Sequence, residues 1–115
     1  MRLAWTDRAL LRVEETARYI AADDPAAGVR WASELFDAVE RLADFPESGR
    51  LAPELEGRGV RDLVYGAYPV FYRVDEATVL ILTVRHASQL LREDEVAEGP
   101  NRRIEQNARG STARR

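Results

Sequence analysis

Residues 60–86, VRDLVYGAYPVFYRVDEATVLILTVRH, limit the fold of this chain more than any other stretch. Apolar side chains there alternate or run together over short spans, with a glycine link at Gly66 and an acidic turn at Asp75 between them. This is the pattern of strands joined by tight turns. We predict three strands, at about 60–65, 68–74 and 79–86. The last strand begins as a continuous apolar run, which is typical of a strand in the middle of a sheet.

The first 45 residues predict one strand followed by two helices. Residues 1–5 form the strand, and apolar residues then recur at helical spacing over about 7–22 behind the N-cap Thr6. A second helix begins at Pro25 and ends before Pro46, and the link between the helices is short enough to require an antiparallel hairpin. We therefore predict an α+β domain of order β-αα-βββ, in which the N-terminal strand and the helical hairpin pack on one face of a small antiparallel sheet.

Composition narrows the possible classes of protein. The chain has 115 residues, no cysteine and a net charge of −3. Cysteine chemistry is therefore excluded, and wholesale binding to nucleic acid, which requires neutralising many phosphates, is disfavoured. We expect a domain at 1–92 and a polar tail at 93–115 that is disordered or partly helical around 102–108. No stretch has the character of a signal core or membrane span, so we expect a cytoplasmic protein, without cofactor or metal.

Arginine is the residue most suited to a functional site. Alternation along the strands predicts that Arg73 and Arg85 share the sheet face away from the helices, and Arg61 joins them if the parity of its strand allows. Such arginines either form a solvated face or bind the carboxylates or phosphates of a partner. Weak catalytic candidates are Arg61, Arg85 and His86, the only histidine. We expect the nearby tyrosines to pack rather than to stack on bases: Tyr65, Tyr68 and Tyr72.

Three segments together resemble the RelE/ParE superfamily of bacterial toxins over residues 1 to about 90. They are ARYIAADDPAAG, FPESGR at residues 45–50, and GAYPVFYRVDEATVLILTVRH. The resemblance implies the toxin of a type II toxin–antitoxin module: a small cytoplasmic protein that arrests growth, stabilises plasmids and is held inactive in a hetero-oligomer by an antitoxin. One branch of the superfamily cleaves mRNA on the ribosome, and the other inhibits DNA gyrase.

The sequence departs from the nuclease branch of this superfamily. The nuclease branch has an arginine at the position of Pro69. After its last strand it also has a set of Arg, His or Tyr residues, whereas in this chain ASQLL follows His86. Arg61 and Glu54 match nuclease positions but lack their partners. The resemblance therefore favours a gyrase inhibitor that is not an enzyme. Two alternatives stay open: an endonuclease that uses the arginines and the histidine named above, and an inactive toxin that only binds its antitoxin. We expect the antitoxin's carboxylates to meet one or more of these arginines: Arg61, Arg73 or Arg85.

Overall fold

The computed structural model describes residues 1–52, 57–88, 96, 103–106 and 112–114. The N-terminal half consists of β1 (Arg2–Thr6), α1 (Asp7–Ala21), α2 (Pro25–Glu40) and a 3-10 turn at Arg41–Ala43. The following strands are β2 (Arg50–Leu51), β3 (Val60–Leu63), β4 (Val70–Asp75), β5 (Thr78–Val84), β6 (Arg103–Gln106) and β7 (Thr112–Arg114). The predicted α+β class and the β-αα-βββ order are confirmed.

The strands form one sheet in the order β2-β3-β4-β5-β1-β6-β7. The pairs β3–β4 and β4–β5 are antiparallel, and β5 lies inside the sheet as predicted. β1, however, runs parallel to β5, so the sheet is mixed rather than antiparallel. No tight turn joins these two strands, because both helices and three other strands separate them in the chain. Hairpin geometry therefore does not set their relative direction.

The helical hairpin covers one face of this sheet, which we call the helix face. Thr6 ends β1 and caps α1: its hydroxyl accepts from the Ala9 N–H at 3.1 Å and contacts the carbonyls of Ile81 and Leu82 at 3.1 and 3.0 Å. The strand, the helix start and β5 are thereby joined at one buried hydroxyl. Fully buried side chains fill the space below the helices: Trp5, Leu35, Val39, Leu42, Val70, Tyr72, Val79, Ile81 and Val84.

The opposite face of the sheet, the outer face, carries a second apolar cluster. Its members are Ala4, Ala52, Val60, Phe71, Leu80, Leu82 and Val96. Val96 is 4% exposed, so a residue of the expected tail is buried against the sheet. The described part of this face is therefore largely apolar.

The C-terminal strands differ from the expected tail. Residues 103–106 form β6, which pairs antiparallel with β1, so the helical turn expected there is wrong. A strand ladder uses backbone N–H and C=O groups, which a polar segment supplies as well as an apolar one. Without β6, β1 would be an edge with free backbone groups. Most other residues of the expected tail lie outside the described residues. In the part of the chain that is described, no helix is long and apolar enough to cross a membrane.

A bulge in β5 changes which side chains share a face. Phe71 pairs with Thr83 but Tyr72 pairs with Ile81, so Leu82 is the extra residue. Beyond the bulge the alternation is reversed, and Val84 packs in the helix-face cluster instead of beside Leu82. Strict alternation therefore mispredicts the face of every side chain after the bulge.

Candidate functional site

The loop at residues 45–50 is held to the sheet by one tyrosine. Tyr72 is fully buried, and its hydroxyl accepts from the Gly49 N–H at 2.9 Å and donates to the Pro46 carbonyl at 2.7 Å. Burial is the main cause that raises the pKa of Tyr72, so the phenol is kept neutral. We call this loop, with Arg61, Asp62 and Tyr72, the loop clamp.

Gly49 is at the centre of the loop clamp because no side chain fits there. A Cβ atom at this position would lie 2.6 Å from the Tyr72 hydroxyl and 2.7 Å from the Asp62 carbonyl oxygen. The glycine in the FPESGR segment is thus required by the close approach of the loop to β3 and β4. The segment that carries much of the family resemblance is a structural element in this chain.

Two arginines of the loop clamp are engaged within the fold. Arg61 donates from Nη1 to the Gly49 carbonyl at 2.7 Å, and Arg50 donates from Nε to the Asp62 carboxylate at 3.0 Å. The Asp62 side chain is only 4% exposed, so its charge needs that partner. Arg61 pairs with Tyr72 across the sheet and so lies on the helix face. Because it donates to the Gly49 carbonyl, Arg61 has a structural role in holding the loop.

Arg73 lies on the outer face. Its cross-strand neighbours are Val60 and Leu80, both members of the outer apolar cluster. Its guanidinium reaches Asp75 on the same strand, with Nη2 to Oδ2 at 3.3 Å, and the side chain is 27% exposed. Arg73 is therefore a partly covered charge at the margin of an apolar surface.

A cleft of about 420 Å³ opens between α1 and the end of β5. We call it the α1–β5 cleft. Its charged and aromatic lining comes from α1 and from the segments beside the end of β5: Arg12, Glu15, Tyr19, Tyr68, Arg85 and His86. The cleft contains two of the three weak catalytic candidates and two tyrosines. It combines cations, aromatic rings and open volume.

The His86 ring is fixed at the edge of this cleft. The Ser88 backbone N–H donates to Nδ1 at 3.1 Å, and the Ser88 hydroxyl lies 2.7 Å from the same nitrogen. Because a backbone N–H can only donate, Nδ1 is an acceptor and the neutral ring carries its hydrogen on Nε2. Tyr68 meets the ring edge-on with centroids 5.2 Å apart, and Trp31 meets Tyr68 at 5.3 Å. In this neutral tautomer, the Nε2 atom of His86 is a hydrogen-bond donor and not a base.

The structure does not bring the three predicted arginines together. The backbone of Arg85 bonds to Pro69, whereas Arg73 lies four residues further along the same segment, roughly 13 Å away in an extended chain. Arg73 is on the outer face, and Arg85, which follows the helix-face residue Val84, falls on the same side by alternation while it also borders the cleft. Arg61, by contrast, lies on the helix face. Glu54, the other residue matched to the nuclease branch, lies outside the described residues.

Sequence reasoning missed the contribution of α1 to the cleft. Arg12, Glu15 and Tyr19 lie on the polar side of a helix whose apolar stripe was used to place the core. Their spacings of three, four and seven residues put them on one face, which could have marked a second surface. Among the described residues, no group of three or more His, Asp or Glu side chains could hold a metal ion.

Comparison with known proteins gives consistent matches. A family model described as the ParE toxin of the type II toxin–antitoxin system parDE matches residues 3–91. Y4kP of Sinorhizobium fredii, which is named as a toxin, is 42% identical over 92 residues, covering 76% of this chain and 90% of that protein. Toxin RelE2 of Caulobacter vibrioides is 37% identical over 89 residues, covering 76% and 97%.

A solved structure agrees with the fold. The chromosomal ParDE toxin–antitoxin system from P. aeruginosa contains a chain that aligns with a TM-score of 0.64 at 22% identity. The alignment covers 75% of this chain and 95% of that chain. At this level of identity the match supports the arrangement of helices and strands.

Proposed function

The chain belongs to the ParE toxin family of type II toxin–antitoxin systems, and from this premise we propose that it inhibits DNA gyrase and is neutralised by a cognate antitoxin. An antitoxin partner is implied by the family itself. Gyrase as the target, a role in plasmid stabilisation and the cytoplasmic location that such a target requires are parts of the proposal.

The dispersal of the three arginines supports gyrase inhibition over RNA cleavage. Cleavage through a ribose hydroxyl needs a base near the hydroxyl and cations around the phosphate that becomes more negative. In this chain Arg61 donates to the Gly49 carbonyl, Arg73 lies on the outer face, and only Arg85 lines the cleft beside His86. The Nδ1 lone pair of His86 is already occupied by Ser88. These contacts leave few groups for a nuclease centre.

A supercoiling assay with purified gyrase and purified chain tests this function. We expect inhibition that increases with the ratio of chain to gyrase and is reversed by prior mixing with the antitoxin. Heat-denatured chain serves as the matched control for nonspecific effects. Full supercoiling at a several-fold excess of folded chain would contradict the proposal.

One observation favours a second candidate function, a ribosome-dependent mRNA endonuclease. A relative at 37% identity carries the name Toxin RelE2, and the cleft combines Arg12, Arg85 and His86. Mapping mRNA 5′ ends after induction separates the two candidates. New ends within ribosome-bound codons support the endonuclease, and growth arrest without them supports gyrase. Normal growth on induction would instead support an inactive toxin that only binds its antitoxin.

The same premise supports a proposal for the binding residues. Of the arginines expected to meet the antitoxin, Arg85 and Arg73 are partly accessible, whereas Arg61 is engaged in the loop clamp. We therefore assign partner binding first to Arg85, then to Arg73. Loss of antitoxin binding on Arg85→Glu, with Arg61→Gln affecting mainly stability, is the expected pattern in a pull-down of the toxin–antitoxin complex.

A further inference from the structure

The C-terminal strands change how the sheet ends. Among the described residues, the end strands are β2, with two residues, and β7, with three. Without β6 and β7, the sheet would end at β1, which has five residues, four of them buried. Long apolar edge strands pair with strands of other molecules, and natural proteins shorten or cover such edges. The C-terminal strands therefore replace a long edge by a short one.

Val96 gives the same segment a second attachment to the sheet. This residue is 4% exposed and belongs to the outer apolar cluster with Phe71 and Leu80, whereas β6 pairs with residues 3–6 at the edge. β1 contributes Ala4 to that cluster, so the covered face and the covered edge adjoin at this strand. Both attachments come from residues beyond position 91, where the match to the family ends. We call Val96, β6 and β7 the C-terminal cover.

We propose that the C-terminal cover prevents two copies of this chain from pairing through β1. β6 runs antiparallel to β1, so this edge accepts a strand in that direction. Two copies related by a twofold axis also place their β1 strands antiparallel, and each strand then supplies the backbone partners of the other. Such a pair uses both edges and stops at a dimer. The proposal concerns self-association and is independent of the cellular target.

β1 has no protection of its own against such pairing. Its sequence is RLAWT, with one charge, on Arg2 at the first position, and no proline. Charged side chains and prolines along an edge are the common means by which proteins keep strands from pairing. In an antiparallel pair of β1 strands, the two copies of Arg2 lie toward opposite ends, where they do not repel each other strongly. The cover is therefore the element that distinguishes a closed edge from an open one.

A thiol-labelling experiment tests whether the cover is closed. Because the chain has no cysteine, one introduced cysteine reports on one position. Val96→Cys should react at least about tenfold more slowly than Val29→Cys, whose site on α2 is 73% exposed. Adding Glu105→Pro should accelerate labelling at position 96, because proline removes a ladder N–H from β6. Glu105→Gln keeps that N–H and, as the matched control, should leave the labelling rate unchanged.

Sedimentation of the full chain measures the self-association. The parent chain should remain monomeric at about 100 µM. Val96→Asp places a charge in the outer apolar cluster, and Glu105→Pro disrupts the ladder, so each variant releases a different attachment. Both variants should double in apparent mass as their concentration rises, and the double variant should do so at the lowest concentration. Val29→Asp, the same kind of exchange at an exposed site, should sediment like the parent chain.

Hydrogen exchange identifies the surface through which the copies pair. In the dilute double variant, the β1 backbone N–H groups that face β6 should exchange faster than in the parent chain. They should regain protection at the concentration at which the apparent mass doubles. β5 lies inside the sheet and is the internal reference, since its protection should not depend on concentration.

Three results would overturn the proposal. Equal labelling of Val96→Cys and Val29→Cys would show that position 96 is not covered. A Glu105→Pro variant that accelerates labelling at position 96 but stays monomeric at about 100 µM would show that the open edge does not pair. A dimer without regained protection in β1 would show that the copies pair elsewhere. The two single variants act at separate attachments, so either one decides the question if the other does not fold.

Discussion

The loop clamp and the α1–β5 cleft contain the same kinds of residue and use them differently. In the clamp, the Tyr72 hydroxyl and the Arg61 guanidinium donate to backbone carbonyls at 2.7 Å. In the cleft, Tyr19 is largely exposed and Arg12 has an exposed ionic partner. The difference shows that an arginine or tyrosine acts structurally where the fold brings a carbonyl to it. In the cleft, the Tyr19 side chain stays exposed and the Arg12 contact with Glu15 is partly open to solvent.

The largest expected difference between the two regions comes from Gly49→Ala. A Cβ atom 2.6 Å from the Tyr72 hydroxyl forces the loop from the sheet, and we expect a loss of about 3 kcal/mol in the free energy of unfolding. Urea denaturation measures it. Glu47→Ala, an exposed change in the same loop, is the control and should stay within about 0.5 kcal/mol. A Gly49→Ala variant with the same free energy of unfolding as the parent chain would show that the loop is not closely held.

Tyr72→Phe is expected to be the next largest change. It removes the acceptor for the Gly49 N–H and the donor to the Pro46 carbonyl, both in the clamp. Leaving these backbone groups without partners should cost about 2 kcal/mol of unfolding free energy. Tyr19→Phe is the matched change in the cleft and should have no measurable effect on stability, since that hydroxyl is on an exposed ring. Equal effects of the two substitutions would contradict the contrast between the regions.

One arginine substitution in each region compares their contributions to the free energy of unfolding. Arg61→Gln removes the 2.7 Å hydrogen bond to Gly49 and should cost about 1 kcal/mol of unfolding free energy. Arg12→Gln removes an ion pair whose side chains are 37% and 49% exposed and should cost less than about 0.5 kcal/mol. Thermal and urea unfolding of both variants give the comparison. A larger effect at Arg12 than at Arg61 would show that the loop clamp does not depend on its arginine.

The smallest expected effect is a dependence of stability on alkaline pH. Burial raises the pKa of Tyr72 above its ordinary value of 10.0, so folding favours the protonated phenol. The resulting stabilisation is complete below pH 10.0 and is lost as pH rises through the pKa of the folded state. Urea unfolding across this range should give a flatter profile for Tyr72→Phe than for the parent chain or Tyr19→Phe. Burial also raises the pKa of Tyr65, so the free energy of unfolding of every variant still falls with pH in this range.

The elements of the fold could be predicted well from the chain alone. Thr6 was predicted as the cap of the first helix, and its side chain accepts from the backbone N–H three residues later. The apolar run of β5 was placed inside the sheet, where it lies between β4 and β1. Caps and periodicity are local properties, so they can be read without knowing the rest of the fold.

The candidate site was predicted less well. Arg85 and His86 were named, and both line the cleft, but the strict alternation used to place Arg85 fails within β5. One extra residue at Leu82 reverses the alternation, and no local signal in VLILTVRH marks the bulge. The role of Arg61 was equally hidden, because its acceptor, the Gly49 carbonyl, is twelve residues away in the chain.

The sequence by itself determined the order of strands and helices, the buried stripes and the family. These follow from side-chain hydrophobicity and from the backbone preferences of glycine, proline and capping residues, which act over a few positions. Only the tertiary structure decided that β1 runs parallel to β5, that β6 extends the sheet and that the arginines separate onto different surfaces. The reason is physical: backbone groups and guanidinium donors pair with whatever acceptor the packed chain brings within about 3 Å, wherever it lies in the sequence.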